Sequence, residues 1–434
     1  MAPSEPSSEP ASGDAPNRGT GKQLAVNWLH LAVLWSFAGA QPLFGVLADD
    51  PAFFVARGNT RADILILAFG LVLVPPTALI AAEAIVSRLP TARQALHLAF
   101  IGLLAAVFAL QVIADASPAG SSFVLVPLAI ACGAAAAIAY RATRLVPSML
   151  TVLGPAPVVF LALFLLFSDV SKLVLPEQEA NVEASVRSDT PVVFVVLDEF
   201  SGLHLLDRGG RLNTARYPNL AALARTSDWY PNATTVSDRT DRAVPAILTG
   251  TRPSSKKLPI LSDYPQNLFT LLGGDYELDV HETASHLCPD RLCQREREPI
   301  GTRLSSLGRD LRTVALRRLL PDDLAGGLPA VNRTFGNFQS SAKIYGGVVK
   351  GTDQTAPQER GRSFERFTRG IKGGRSLHFL HILLPHIPWL YLPTGQQYAE
   401  NGPIPGLDEK RDAWETAGGP QSGHVARSGV TGSG

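Results

Sequence analysis

Sulfur and net charge are both scarce in this sequence. Across 434 residues there are three cysteines and two methionines, and 39 basic residues stand against 38 acidic ones, for a formal charge of +1. No stretch gathers Lys and Arg without matching acids, so the field that draws a protein onto a phosphate backbone is missing and nucleic acid is not expected as a partner. Charge of either sign is thin as well. Only 18% of residues are charged while 46% are hydrophobic, more apolar than a soluble enzyme needs, and the length exceeds one average domain. Cys132 lies inside an apolar run, where a small inert thiol is the expected reading. Cys288 and Cys293 are left to explain.

Residues 1–23 are Pro, Ser, Ala and acid with almost no large apolar side chain, a composition that cannot bury enough surface to order itself. Residues 24–48 are apolar for much longer than the core of a secretory signal and lack a convincing cleavage site, so a retained helix is expected. Residues 64–86, 95–113, 123–140 and 146–167 each approach the ~20 apolar residues that a helix needs to cross a bilayer. Five spans within a transmembrane domain of residues 24–170 follow. Arg18 and Lys22 precede the first run, Arg88 and Arg93 lie between the second and third, and Arg141 and Arg144 between the fourth and fifth. Residues 114–122 carry no basic residue, although Arg57 and Arg61 fall on the same expected side. By the positive-inside rule the basic loops are cytoplasmic, which puts everything after residue 167 on the extracytoplasmic side of a plasma membrane. Glu83 and His97 sit near predicted span ends, where long polar side chains snorkel to the interface.

Residues 171–190 turn polar and acidic, with Glu177, Glu179 and Glu183, and read as a linker. A domain then opens on Pro-Val-Val-Phe-Val-Val-Leu at 191–197, a β-branched run of the kind found in strands buried on both faces of a parallel sheet. It ends in Asp198 and Glu199. Open α/β sheets place ligands at the carboxyl ends of their strands, so a metal or catalytic role is expected for these two acids. Residues 217–224, Tyr-Pro-Asn-Leu-Ala-Ala-Leu-Ala, have helical periodicity behind a proline. A cluster of hydroxyl and charged residues at 234–242 leads into another helix near Ala243. A hydroxyl there either caps the helix, its commoner fate, or acts as a nucleophile beside exposed N–H groups, and the pattern alone puts capping ahead. Cys288 and Cys293 are expected to pair outside the cytoplasm, since no fourth ligand completes a zinc knuckle with His286. Residues 376–384 alternate like a strand, so His378 and His381 decorate its faces. His386 follows in a Pro-flanked loop at the carboxyl edge.

Thr-Asp-Arg-Ala-Val-Pro-Ala-Ile-Leu-Thr-Gly at 240–250 resembles the nucleophile segment of sulfatases, with Thr240 at the position of the cysteine that matures to formylglycine. Residues 192–200 resemble the sulfatase strand that ends in metal-binding acids, and 217–224 the helix reading Pro-Asn-Leu-x-x-Leu-Ala. The formylglycine signature itself is absent. An unmodified Thr with Pro five residues on, here Thr240 and Pro245, is similar to the membrane-anchored phosphoethanolamine and phosphoglycerol transferases of the alkaline-phosphatase superfamily. His386 matches their His-x-Pro, which contacts metal or phosphoryl oxygens, and His381 is a weaker second candidate.

The resemblance implies an α/β chain: a bundle of about five transmembrane helices followed by an alkaline-phosphatase-like α/β/α sandwich with a mostly parallel sheet over 191–410, then an irregular tail at 411–434. It implies a divalent metal ion (Zn, Mn, Mg or Ca, with a His-containing site leaning to Zn or Mn) held by Asp198, Glu199 and Thr240. Thr240 and His386 would be the catalytic residues, acting on a phosphate or sulfate ester beside membrane lipids. A further strand ending in Asp-His or Asp-Asn, which completes the family's metal site, has no counterpart, so the resemblance covers about residues 192–398. The expectation is an incomplete sandwich. It would belong to a hydrolase or a phospho-headgroup transferase with its activity in doubt, or to a non-catalytic scaffold or gene remnant. High Arg and Ala with scarce Lys fits a GC-rich bacterial genome, and nothing in the sequence bears on oligomeric state.

Overall fold

The computed structural model describes residues 18–86, 88–117, 120–175, 185–293, 298–325, 328, 359–386, 391 and 395–396. The N-terminal tail up to residue 17, the acids Glu177, Glu179 and Glu183, and the tail at 411–434 lie outside the described residues. The chain divides into two compact units, Met1–Asp49 with Ile64–Ser171 and Ala315–Gly327, and Asp50–Asp63 with Lys172–Val314 and Leu328–Gly434.

The first unit contains five helices long and apolar enough to cross a membrane: Gly21–Asp49, Arg61–Ile85, Pro90–Ala116, Ser122–Ala142 and Leu145–Phe167. They are spans one to five below. Only helices satisfy every backbone N–H and C=O without water, which is why uninterrupted apolar runs of this length adopt them in a bilayer. Phe123, Val124, Ile130 and Ile138 of the fourth span point outward and exposed, a surface suited to hydrocarbon rather than water. The third and fourth spans approach at glycines. A Cβ on Gly133 would collide with the carbonyl oxygen of Gly102 and with Ala106, so the contact depends on a bare Cα. Glu83 and His97 do not snorkel as expected. Both are buried, and His97 Nδ1 lies 2.8 Å from Glu83 Oε1, because each finds in the other a partner that the interface would otherwise supply.

The second unit is α/β. Its sheet has three parallel strands in the order β1-β3-β2, with β1 at Val192–Leu197, β2 at Glu277–His281 and β3 at Ser376–Ile382. The central β3 is buried along its whole length, as strands covered on both faces are. Among its described helices are α1 (Pro218–Ala224), α2 (Thr240–Thr249), α3 (Leu268–Leu272), α4 (Ile300–Leu319, of which the residues up to Val314 belong to this unit) and α5 (Arg360–Gly370). Alternation of side chains divides the sheet cleanly. Val192, Phe194 and Val196, Leu278 and Val280, and Leu377 and Phe379 face one way, against Val244 and Leu248 of α2 and Phe269 and Leu272 of α3. Val195, Leu380 and Ile382 face the other way, against Phe367 of α5. Phe379 sits at the centre of the first face, edge-on to Phe194 and Phe269 with ring centroids 5.7 and 5.1 Å away.

Residues 50–63, expected to be a plain loop of the transmembrane domain, belong to this second unit. Arg57 pairs with buried Asp310 and donates to Ser306 Oγ at 2.8 Å, and Arg303 donates to both oxygens of Asp63 at 2.9 and 3.1 Å. Arg57, one of the two basic residues that weakened the topology pattern, thus has acidic and hydroxyl partners on α4.

Candidate active site

Three features meet at the carboxyl edge of the sheet. First, β1 does not stop at Leu197: Asp198 N donates to Ile382 O at 3.0 Å, so the ladder with β3 continues and the carboxylate of Asp198 emerges on the α2 side, in phase with Val196. Glu199 then takes φ +59°, a left-handed conformation that non-glycine residues seldom adopt and that costs of order 1 kcal/mol. The strand ends in that turn. His386 Nε2 lies 3.8 Å from Glu199 Oε1, which brings the loop after β3 to the end of β1.

Second, α2 begins at Thr240, and no side chain caps its N-terminus. The Thr240 hydroxyl is not a cap: Oγ1 donates to Asp198, 3.2 Å from Oδ1 and 3.5 Å from Oδ2. Both residues are half-buried. Asp241, the next residue, accepts a two-pronged contact from Arg239 at 3.0 and 2.9 Å, and Arg239 also lies 3.8 Å from Asp50. The hydrogen bond to Asp241 raises the affinity of Arg239 for its proton, while burial, partly offset by Arg239, pushes the Asp50 carboxyl up. The helix ends at Gly250, whose φ of +68° provides the left-handed cap.

Third, two buried cations or would-be cations stand behind the acids. His381 is completely buried on β3, on the same face as Phe379, and neither ring nitrogen has a hydrogen-bond partner among the described residues. Burial holds its imidazole below the usual histidine range, against the attraction of Asp198 and Glu282. Arg360, the first residue of α5, is 2% exposed and donates from Nη1 to the carbonyl of His386 at 2.7 Å. Burial lowers its guanidinium to about 10, opposed by the pull of Tyr391, Asp198 and Glu199. Its Nε has no partner among the described residues. Nothing in the sequence singled out Arg360, one of several arginines in an 11-residue polar helix. Only the packing of α5 against β3 identifies it.

The remaining expected residues sort themselves. Cys288 and Cys293 form a disulfide packed in the core of the α2 face, and Glu282 at the end of β2 accepts from Ser285, Leu287 and Cys288 to hold that loop. His286 pairs with Asp290 at 3.3 Å rather than with the thiols. His378 lies on the opposite face of the sheet from His381. It is held between Asp279 at 2.9 Å and the backbone N–H of Lys372 at 3.0 Å. As a metal centre the described set is short: no group of three or more His, Cys, Asp or Glu among the described residues is arranged to hold an ion. Asp198, Glu199 and Thr240 carry the expected oxygen donors, but only two of the three are of the His, Cys, Asp or Glu type of which catalytic metals take three.

Comparison with protein-family models, with curated proteins and with solved structures yields no match for this chain.

Proposed function

We propose that the second unit is the catalytic domain of a membrane-anchored, sulfatase-like enzyme of the alkaline-phosphatase superfamily, built on that superfamily's α/β/α sandwich and acting on a phosphate or sulfate ester through Thr240. The observation that carries this reading is the Thr240 hydroxyl donating to Asp198 at the carboxyl edge of a parallel sheet and at the start of a 10-residue helix. Thr240 Oγ1 attacks phosphorus or sulfur as its proton passes to Asp198, and the bond from that atom to the ester oxygen breaks on the opposite side, the departing oxygen taking a proton from water. The first N–H groups of α2 and its dipole receive the anionic ester oxygens. His386 stabilises the transferring group, and Arg360 is a positioning residue that fixes the His386 loop through the 2.7 Å bond to its carbonyl. Water or an acceptor hydroxyl then releases the group from Thr240. A divalent ion (Zn, Mn, Mg or Ca) with Asp198, Glu199 and Thr240 as ligands is part of the family reading and would ease ionisation of the hydroxyl. Because the described ligands are too few, the proton transfer is assigned to Asp198.

Five apolar helices favour one version of this chemistry, transfer of a phospho-headgroup from a lipid to a cell-envelope polymer, because a lipid donor arrives from within the bilayer. The extracytoplasmic side is proposed for the domain on the basis of the basic loops. The full chain in lipid vesicles, offered aryl phosphate, aryl sulfate or headgroup-labelled phospholipid, should cleave at least one of them, and Thr240→Val should lower the rate by about 10³-fold or more. A wild-type chain inert toward all three, or a valine variant of undiminished rate, would leave a non-catalytic scaffold as the reading.

A further inference from the structure

The membrane unit contains a chain of polar side chains to which all five spans contribute. Asn27 of the first span donates to Glu83 Oε2 at 3.1 Å, and Glu83 Oε1 lies 2.8 Å from His97 Nδ1. His97 Nε2 is 3.1 Å from the Tyr140 hydroxyl, which is 2.7 Å from His30 Nδ1. His30 Nε2 is 2.9 Å from the hydroxyl of Thr151, and that hydroxyl also reaches the Pro147 carbonyl at 2.9 Å. Glu83, His30 and His97 are buried, at 0%, 1% and 6% exposure, while Thr151 is exposed at the edge of the bundle. Ionisable groups are costly at this depth and mark ion or proton paths when they line up.

We propose that this chain is a proton-binding and proton-relay site, with Glu83 as its inner end and His30 as its entry. The inference is independent of the ester chemistry above. Two complete arrangements of donors fit the same heavy atoms. In the first, Glu83 is ionised and accepts from His97 Nδ1–H, Tyr140 donates to His97 Nε2, and His30 Nδ1–H donates to Tyr140 Oη. His30 Nε2 then accepts from Thr151. A proton arriving at His30 Nε2 lets the Nδ1 proton pass to Tyr140, the tyrosine's own proton pass to His97 Nε2, and the His97 Nδ1 proton pass to Glu83. One proton enters, one is delivered, and the net charge of the chain goes from −1 to zero. Thr151 now accepts from His30 and turns its hydroxyl to Pro147, which is why both Thr151 contacts are present at bonding distance. No heavy atom moves. Among the described residues, Lys22, Arg88, Arg93, Arg141 and Arg144 are the charges that lie in or beside the segments joining these ends of the spans in the sequence.

Infrared spectroscopy of the full chain in lipid nanodiscs over a pH series tests the relay. A protonated-carboxyl band should titrate in the wild type and vanish in Glu83→Gln. Tyr140→Phe, which removes one oxygen from the middle of the chain, should retain the band and move its midpoint by about one pH unit or more. If Glu83→Gln does not fold, the Tyr140→Phe shift alone decides. Absence of the band at every pH, or a midpoint unmoved by both Tyr140→Phe and His30→Gln, overturns the proposal, since a purely structural network alters stability without linking these titrations.

Discussion

Buried polar groups fare differently in the two units. In the membrane unit Glu83, His97, Tyr140 and His30 are joined end to end. At the sheet edge of the globular unit His381 has two nitrogens, and Arg360 one, without a partner among the described residues. Hydrocarbon cannot lend a hydrogen bond, so a span that carries Glu or His must bring the partner on another span. The globular unit is under no such constraint, yet each unsatisfied buried group still costs ~1–3 kcal/mol, and unsatisfied groups in native structures concentrate where a ligand or a reaction needs them. The difference teaches that the first network is a closed set of donors and acceptors, whereas the second is an open one beside Asp198 and Thr240.

The contrast is sharpened first by a substitution confined to the globular core. Phe379→Ala removes the ring on which Phe194 and Phe269 both pack, and should cost that unit ~3–5 kcal/mol in urea denaturation while leaving the helical signal of the spans in place. Simultaneous loss of both would mean that the units do not unfold separately. A smaller effect comes from His381. Its folded pKa is held below the unfolded value near 6.5 by burial, so its native neutral form contributes stability fully above that pH and the contribution is lost as pH falls toward the folded value. The groups facing it are Asp198, Glu282 and His386. Wild-type stability should therefore decline as pH falls through and below about 6.5, and His381→Leu should flatten the decline and raise stability at neutral pH. An equally steep decline in the leucine variant would assign the acid sensitivity to other groups. Least of all, Gly250→Ala at φ +68° should cost ~1 kcal/mol through the α2 cap. A neutral result there would show that the end of α2 relaxes.

Much of this architecture was legible because hydrophobic patterning acts locally. The five apolar runs coincide with the spans to within a few residues, and Val-Val-Phe-Val-Val-Leu became β1. The strand expected over 376–384 ends at Ile382, where pairing with β1 stops and the loop to His386 starts. Pairings made over long sequence distances were not legible. Glu83 and His97 are 14 residues apart and looked like separate span ends, and their shared burial depends on Asn27 and Tyr140 from two other spans. Arg360 reads as one cation among several until α5 is laid on β3 beside His386. Residues 50–63 looked like a loop because the partners of Arg57 and Asp63, namely Asp310 and Arg303, lie 253 and 240 positions away along the chain. The contact of Asp198 with Thr240, 42 residues apart, was expected only through resemblance, since neither the strand nor the helix specifies the other.

The central claim, that Thr240 carries the reacting group with Asp198 as its partner, is tested most directly by peptide mass mapping. The full chain would be incubated with the ester and quenched by rapid denaturation. The account predicts the added mass of the phosphoryl, sulfuryl or headgroup moiety on the peptide containing Thr240 in the wild type, and its loss in Asp198→Asn. Modification at another residue, or equal labelling of Thr240 in the Asp198→Asn variant, would contradict it.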